Sequence, residues 1–589
     1  MKSRTSSFNT ALRKSITRFA PCWVLYTIGL VMILLLMMQE SNYWKVGNIA
    51  QWIVIMPVMN LFYALLTAQL LFGDLFSSRM CNALHAMPLR REGWYTANVT
   101  AGILFSLIPT LITALIAIPF CVGNQFVQCW QVPLLWLLGS NLSYICFFGI
   151  AVFCIHLTGN RFAMVVVYSI LNFAAVILYW LVDTLYTPML YGVRTQADPF
   201  FRLTPVVHMA STEYVDVYRE NMDIIYSDIL FTCSDDWAIL AIWAAVGIAA
   251  LGLALVLYRK RKLECAGDFM AFRFMEPVFL IVYTLIVGTC FQFFASNLIG
   301  FYGDLVYLFV GLGVGWFTGL MLIKRTIRVF RWKSIGGCAL AMILMGISLA
   351  LTTFDVFGIA RWLPEESEIK SAYVYMGHAG NDNIPEHAVE ITDPEDLQAL
   401  LRVHEISREP QEEPAFEPIP VKSYDGVDFF YEVQDTYFNF TLIYELNNGR
   451  RVYRYYGAYA GTEAGQILHP WFSSIEAVLN LSEAELPSVV NRIYEVTLNG
   501  NMVYLTREQQ KAMLDAIAAD CRAGAMAQRR AFHIGECDGK YFSLGFSYVN
   551  DGGLHYWQDV SVYDCCRNVQ QWIEENDLAD LLEEYGGKY

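Results

Sequence analysis

This chain of 589 residues lacks charge over long stretches. Nine segments within its first 354 residues contain no Lys, Arg, Asp or Glu. They are Ala20–Gln39, Ile49–Phe72, Ala97–Gly123, Val132–Ile155, Phe162–Val182, Trp237–Tyr258, Pro277–Gly300, Leu305–Ile323 and Ile335–Phe354. Each reaches or approaches the ~20 residues that an α-helix needs to cross ~30 Å of hydrocarbon. The alternative is a very apolar soluble protein, but buried helices of soluble proteins are shorter and keep a polar face.

Motifs of catalysis and of nucleotide binding are also missing. The sequence contains no G-x-x-x-x-G-K-[ST] loop, no G-x-S-x-G and no H-E-x-x-H, which excludes the usual mode of ATP binding. The apolar segments hold no ionisable pair of the kind that couples proton or sodium transport. We therefore expect no catalytic residue, metal site or cofactor on this chain, and an energy source outside it. His156 is expected to be a satisfied helix-end histidine.

Cysteine spacing does not indicate a disulfide framework. Ten of the 14 cysteines lie in the apolar part of the chain, where Cys behaves as a small hydrophobe. A Cys521–Cys537 bridge has no spacing rule behind it and stays open. Residues 361–589 carry 17 basic and 38 acidic side chains, a net charge of −21. This acidity argues against a nucleic-acid partner, which requires a basic surface.

Basic residues alternate between the gaps that separate the apolar segments. Counted from the N-terminal stretch, the odd-numbered gaps hold 19 Lys and Arg, and the even-numbered gaps hold only Lys45, Arg194, Arg202 and Arg219. Cytoplasmic loops of membrane proteins carry the excess of positive charge. The pattern predicts about nine transmembrane helices with a cytoplasmic N-terminus and an extracytoplasmic region 361–589. Ala20–Gln39 is expected to be a retained anchor, because no small-x-small cleavage site follows it.

Two amphipathic stretches lie at the cytoplasmic edge. Residues 1–19 place Phe8, Leu12, Ile16 and Phe19 at helical spacing, which favours an interfacial helix on the inner leaflet. A basic lead-in that only sets topology is the alternative.

The second stretch, "FGDLFSSRMCNALHAMPLRREGW", follows the second apolar segment. Its apolar residues near a helical period are Leu75, Phe76, Met80, Leu84 and Met87. Pro88 ends the pattern, which predicts a short surface helix whose apolar side suits a groove of a partner protein.

The chain begins with an amphipathic stretch and two spans, followed by this cytoplasmic segment and a third span. Over residues 1–130 this order resembles that of the permeases of the ABC type-two exporter family. In that family the corresponding segment is the coupling helix that docks on an ATPase subunit. The resemblance assigns ATPase coupling to Asp74, Arg79, Leu84, Pro88, Arg90 and Arg91. The apolar spacing adds Phe76, Met80 and Met87 to this predicted coupling set. It implies a separate ABC ATPase that binds ATP and Mg, a second permease copy or paralogue, and a bacterial cytoplasmic membrane.

The family's permease domain has six spans, so three spans here are an addition. The resulting division is an elbow helix at 1–19, a six-span core at 20–258, three further spans at 259–360 and an outer domain at 361–589. In the eighth apolar segment, Gly311, Gly315 and Gly319 form a ridge that permits close helix packing. Its partner is either another chain or another span of this chain, and the second is favoured.

The outer domain alternates strands and helices in what we interpret as two repeat units of an α+β domain, 361–485 and 486–589. Each has a strand, a capped helix and then a hairpin: Pro394 and Thr506 mark the helix starts, and Asn448-Gly449 marks the first hairpin turn. The domain also resembles an uncharacterised domain at the C-terminus of some bacterial ABC permeases, which implies no activity.

Taken together, these features predict a permease subunit that couples ATP hydrolysis on a separate chain to outward movement of a cargo. The alternative is a non-transporting membrane sensor whose outer domain binds a ligand and whose cytoplasmic helix signals. A membrane-embedded enzyme comes third, because no apolar segment carries a catalytic constellation.

Overall fold

The computed structural model describes residues 2–39, 42–85, 90–122, 129–219, 229–299, 304–377, 379, 384–385, 387–409, 420–421, 429–430, 437–459, 461–481, 484–526, 541–549, 555–563 and 566–579. The chain divides into two compact units. The first comprises Met1–Thr184 and Asp198–Gly346, and the second comprises Leu185–Ala197 and Ile347–Tyr589.

The first unit is almost entirely helical. Its helices are α1 (Lys2–Arg18), α2 (Ala20–Met37), α3 (Asn42–Phe72), α4 (Ser78–His85), α5 (Arg91–Ala117), α6 (Val132–Leu157), α7 (Arg161–Leu185), α8 (Asp198–Arg202), α9 (Pro205–Ala210), α10 (Trp237–Lys260), α11 (Met275–Ile299), α12 (Asp304–Lys324) and α13 (Trp332–Thr353). The last residues of α7 and α13 belong to the second unit. An antiparallel pair, β1 (Val215–Arg219) and β2 (Ile229–Cys233), precedes α10.

Nine helices in the described part of the chain are long and apolar enough to cross a membrane, namely α2, α3, α5, α6, α7, α10, α11, α12 and α13. Large apolar side chains point outward from them: Leu25 is 67% exposed, Ile242 62% and Leu298 84%. Such a surface is unfavourable in water and favourable in lipid. The architecture is that of a multi-pass membrane protein, as the uncharged segments predict.

Small residues and a polar network hold the centre of this unit together. A Cβ on Gly149 of α6 would lie 2.1 Å from the carbonyl oxygen of Gly247 in α10, so these two helices meet backbone to backbone. Asn60 of α3 donates to the Ser140 carbonyl and to Ser143 Oγ of α6, both at 2.8 Å. Close packing and interhelical hydrogen bonds are the forces that associate helices in lipid.

The second unit contains strands as well as helices. Its strands are β3 (Ile369–Met376), β4 (Val389–Ile391), β5 (Pro420–Val421), β6 (Phe429–Phe430), β7 (Tyr437–Leu446), β8 (Arg451–Tyr459), β9 (Ile493–Leu498), β10 (Asn501–Val503), β11 (Tyr541–Val549) and β12 (His555–Tyr563). Its helices are α14 (Pro394–Ser407), α15 (Glu463–Phe472), α16 (Ile475–Leu479), α17 (Leu486–Val490), α18 (Arg507–Arg522) and α19 (Arg567–Glu575).

Two four-stranded sheets organise these elements. Their strand orders are β4-β3-β7-β8 and β10-β9-β11-β12, every pair is antiparallel, and β5 and β6 form a separate pair. In both sheets the chain runs through two strands, a helix and two further strands, so the first and third strands are central. Each sheet has its own buried apolar cluster.

Local chemistry explains where several of these elements begin and turn. Thr506 and Gln509 form a reciprocal capping box at the start of α18, which satisfies two free backbone N–H groups. Pro394 is the first residue of α14. Gly449, with φ +79°, lies in the turn between β7 and β8. The second predicted hairpin turns at Asn550–Gly553 in the sequence, and these residues and Cys537 lie outside the described residues.

Candidate functional site

The segment between α3 and α5 is the predicted coupling segment. It is not one continuous helix: Gly73–Phe76 form a single 3₁₀ turn, Ser77 is extended, and α4 begins at Ser78. Leu75 and Cys81 are buried, 1% and 3% exposed. The helix is therefore shorter than the apolar spacing indicates, because Leu75 and Phe76 belong to the turn that precedes it.

Arg261, the residue after α10, joins three segments of the first unit. Its Nη1 donates to the Ile155 carbonyl at 2.7 Å and its Nη2 to the Leu75 carbonyl at 3.3 Å. The side chain is only 6% exposed. Ile155 lies in the last turn of α6, where carbonyl oxygens lack helical partners and cations are favourable. Burial lowers the pKa of Arg261, and the two carbonyl oxygens compensate the guanidinium for lost water.

Further contacts tie the same segments together. We call this meeting of the segments after α3, α6 and α10 the Arg261 junction. Ser78 Oγ of α4 donates to the Ala266 carbonyl at 3.2 Å. A Cβ on Gly159 would lie 2.3 Å from the Asp268 carbonyl oxygen, so the segments after α6 and α10 are in backbone contact. The segment that carries α4 is thereby anchored to the ends of α6 and α10.

The described members of the predicted coupling set occupy two different environments. Arg79, Met80 and Arg90 are exposed, and Met80 has 42% of its surface exposed. Asp74, Phe76 and Arg91 are partly buried. The Leu84 side chain lies outside the described residues, as do Met87 and Pro88.

The partly buried members of that set face the protein. Asp74 forms an ion pair with Arg18 of α1 at 3.4 Å. Arg91 donates to the Arg261 carbonyl at 3.5 Å and lies 6.0 Å from the Tyr258 ring centroid. Phe76 packs against the main apolar cluster. The surface that a partner can contact is thus formed by Arg79, Met80 and the neighbouring exposed residues of α4.

Sequence reasoning missed Arg261 and Gly159. Arg261 lies in the run Arg259-Lys260-Arg261-Lys262, which was counted only as topological charge. Its neighbour Arg259 is exposed and pairs with Glu92 at 2.7 Å. A carbonyl-binding arginine and a solvent-facing one look alike in the sequence.

The glycine ridge of α12 packs inside the chain. A Cβ on Gly311 would lie 2.7 Å from Phe291 Cβ, and one on Gly315 would lie 3.0 Å from the Thr284 carbonyl oxygen. Both neighbours belong to α11. Gly319 meets the same helix at Leu280, 2.8 Å away.

The two histidines that are fully buried in the described residues, His156 and His404, serve packing. In α6, His156 Nδ1 lies 2.7 Å from the Val152 carbonyl. In the second unit, His404 is fully buried between the rings of Tyr444 and Tyr456. Burial, together with the charge of Arg454, lowers the pKa of His404 to about 3, so the ring is neutral. No group of three or more His, Cys, Asp or Glu within the described ranges could hold a metal ion.

Residues Leu185–Ala197, which we call the strap, continue directly from α7 and belong to the second unit. Val193 bridges Arg454 on β8, and the Tyr455 N–H donates to the Gly192 carbonyl at 3.0 Å. Gly192 has φ +73°, and a Cβ there would lie 2.0 Å from the ring of Tyr456. The strap thus lies along the edge strand of the first sheet, and only glycine fits at its closest point.

No protein-family model matches this chain, and comparison with curated proteins and with solved structures finds no match.

Proposed function

We propose that this chain is the permease subunit of an ATP-driven ABC exporter in a bacterial cytoplasmic membrane. A separate ATPase, with its ATP and Mg, docks on α4. The permease acts as a homodimer or with a paralogue. The outer domain, 361–589, is extracytoplasmic and consists of two related α+β units. The shared strand order of the two sheets supports the relation between these units.

The observation that carries this proposal is the presentation of α4. The helix exposes Arg79 and Met80 while Cys81 is buried beneath it. Through Leu75 and Arg261, its segment connects to the end of α6 and to α10. A partner that pushes on the exposed face therefore acts on two membrane helices at once. An exposed helix on a rigid junction is suited to transmit force from a partner with its own energy source.

Charge supports the orientation on which the proposal depends. Odd-numbered gaps hold 19 basic residues and even-numbered gaps hold four, which favours α4 and the Arg261 junction on the cytoplasmic side. The cargo moves outward in this proposal. Candidate cargoes are a peptide, a lipid or a cell-wall fragment, and the outer domain captures, senses or gates that cargo.

The test is co-purification of an ATPase with the full chain from native membranes in mild detergent. We expect an ATPase that contains a G-x-x-x-x-G-K-[ST] loop to accompany the wild type. The double variant Arg79→Glu plus Met80→Asp should lose the ATPase. Both side chains are exposed on α4, and the substitutions reverse the charge at position 79 and replace the apolar side chain at position 80 with a carboxylate. The matched control is Ile327→Asp plus Arg328→Glu, which makes the same kinds of change at exposed residues between α12 and α13.

Loss of the ATPase from the α4 variant alone supports the coupling assignment. Equal loss from both variants shows a general surface effect and contradicts it. If no ATPase accompanies the wild type, the exporter proposal fails and the membrane-sensor alternative replaces it.

A further inference from the structure

The second sheet of the outer domain has one covered face and one open face. Leu544, Phe546, Val560 and Val562 point to the covered side and are at most 5% exposed, where they share a buried cluster with residues of α18 and α19. A row of cross-strand pairs lies on the other side of the sheet. In this row Met502 is paired with Thr497, Thr497 with Gly545, and Gly545 with Asp559. We call this other side the open sheet face.

Two large apolar side chains of the edge strands lie uncovered on the open sheet face. Trp557 is 52% exposed and Met502 is 55% exposed. A Cβ on Gly545 would lie 2.5 Å from Trp557 Cζ2. The missing side chain at Gly545 therefore leaves room for the indole ring against the sheet. Exposed apolar surface rimmed by polar groups is typical of an interaction site.

Two carboxylates lie on the same side of the sheet as the indole ring. Trp557 faces Ser547 across the sheet, and Ser547 in turn faces Glu495. Asp559 follows on the same strand two residues later, on the same side of the sheet. Ser547 Oγ donates to Glu495 Oε2 at 3.5 Å, and Ser543 Oγ donates to Asp559 Oδ1.

Within the described part of the chain, neither carboxylate forms an ion pair. Among the described residues, no Lys, Arg or His lies within ion-pair distance of Glu495 or Asp559. The net charge of residues 361–589 is −21. An uncompensated acidic pair beside an exposed indole complements a ligand that is both cationic and apolar.

We propose that the open sheet face binds a cationic amphipathic peptide. A Lys or Arg of the peptide lies over the Trp557 ring between Glu495 and Asp559, and an apolar side chain of the peptide covers Met502. Trp557 stands on β12 and Met502 on β10, the two edge strands of this sheet. The peptide therefore lies across the strands of the open sheet face, with its cationic side chain toward β12 and its apolar side chain toward β10. Placement of this face outside the membrane rests on the proposed function, but binding itself does not.

The experiment uses the full chain in nanodiscs of zwitterionic lipid and a dye-labelled decapeptide of alternating Lys and Leu, with fluorescence anisotropy as the readout. We expect saturable binding that weakens as salt rises from about 50 to about 300 mM, because the charges are exposed. Glu495→Gln plus Asp559→Asn, and separately Trp557→Ala, should each weaken binding by about tenfold. Trp557→Tyr keeps an aromatic face and should retain most of the affinity.

The control is Glu508→Gln plus Asp515→Asn, which removes the same charge from exposed positions on α18, the helix on the covered side. Equal affinity of this control and the Glu495/Asp559 variant overturns the proposal, as does an absence of saturable binding to the wild type. Binding of a chitin hexasaccharide that depends on Trp557, without peptide binding, also overturns it. ATPase co-purification is unaffected by these variants if both proposals hold, so failure of one is distinguishable from failure of the other.

Discussion

Replacement of Arg261 by alanine should loosen the junction that carries α4. The change leaves the carbonyls of Ile155 and Leu75 without their donor. A hydrogen bond from a charged group contributes about 1.5–3 kcal/mol. Because the bond to Leu75 is long, at 3.3 Å, we expect a total loss of about 3 kcal/mol. For the first unit this corresponds to a decrease in Tm of about 4 °C by the entropy scaling of globular proteins.

Two measurements monitor this loss of stability in the first unit. Fluorescence-detected thermal denaturation of the full chain in detergent gives the change in Tm. Peptide-resolved maleimide labelling gives the accessibility of Cys81, which is 3% exposed on α4. Labelling of Cys81 should accelerate in Arg261→Ala, because local opening exposes the thiol. Arg261→Lys should have an intermediate effect, since an ammonium cannot span both carbonyls as a guanidinium does.

Arg259→Ala is the matched control, because this neighbouring arginine is exposed and its ion pair with Glu92 is exposed. Exposed ion pairs contribute about 0–1 kcal/mol, so Tm should fall by at most about 1 °C. If Arg261→Ala and Arg259→Ala give the same Tm and the same Cys81 labelling rate, Arg261 does not hold the junction and the coupling route through it is refuted.

Three further changes have defined outcomes. Gly149→Ala should destabilise the first unit by about 1–3 kcal/mol through overpacking, whereas Gly252→Ala, which has open space around it, should not lower Tm. The pKa of His404 is about 3 in the fold and ~6.5 in the unfolded chain, so the unfolded chain binds the proton first as pH falls. The contribution of His404 to the free energy of unfolding is therefore fully present above pH ~6.5 and decreases by up to about 1.4 kcal/mol per pH unit below it. In the variant His404→Gln, Tm should depend less steeply on pH than in the wild type. An unchanged dependence of Tm on pH would count against a buried neutral ring. Gly192→Ala should release the strap and speed hydrogen exchange of peptide 185–197, whereas Gly461→Ala, with no atom near its Cβ position, should leave exchange unchanged.

Membrane architecture was accessible from the sequence because it depends on local properties. Each span is a continuous run without charge, and such a run predicts a helix wherever it occurs. The start of α4 was not accessible, because Leu75 and Phe76 fit the helical period yet form a 3₁₀ turn. That turn presents the Leu75 carbonyl to Arg261, 186 residues later in the chain.

The Arg261 junction and the strap illustrate the same difficulty. Arg259 and Arg261 are two residues apart and chemically identical, and only the position of α6 makes one of them a structural donor. The pairing of the strap with β8 joins residues that are far apart in the chain, 255 positions in the case of Gln196 and Arg451. Composition and spacing report on neighbours along the chain, and these contacts depend on neighbours in space.

The strap also sets an order for biogenesis. Gln196 leaves the ribosome long before Arg451, its partner 255 residues later. At synthesis rates of about 5–20 residues per second, the strap waits about 13–50 s for the strand it will cover. During that interval the strap lacks the strand with which it pairs in the folded chain. A truncated product that ends before β8 leaves the strap without the strand with which it pairs.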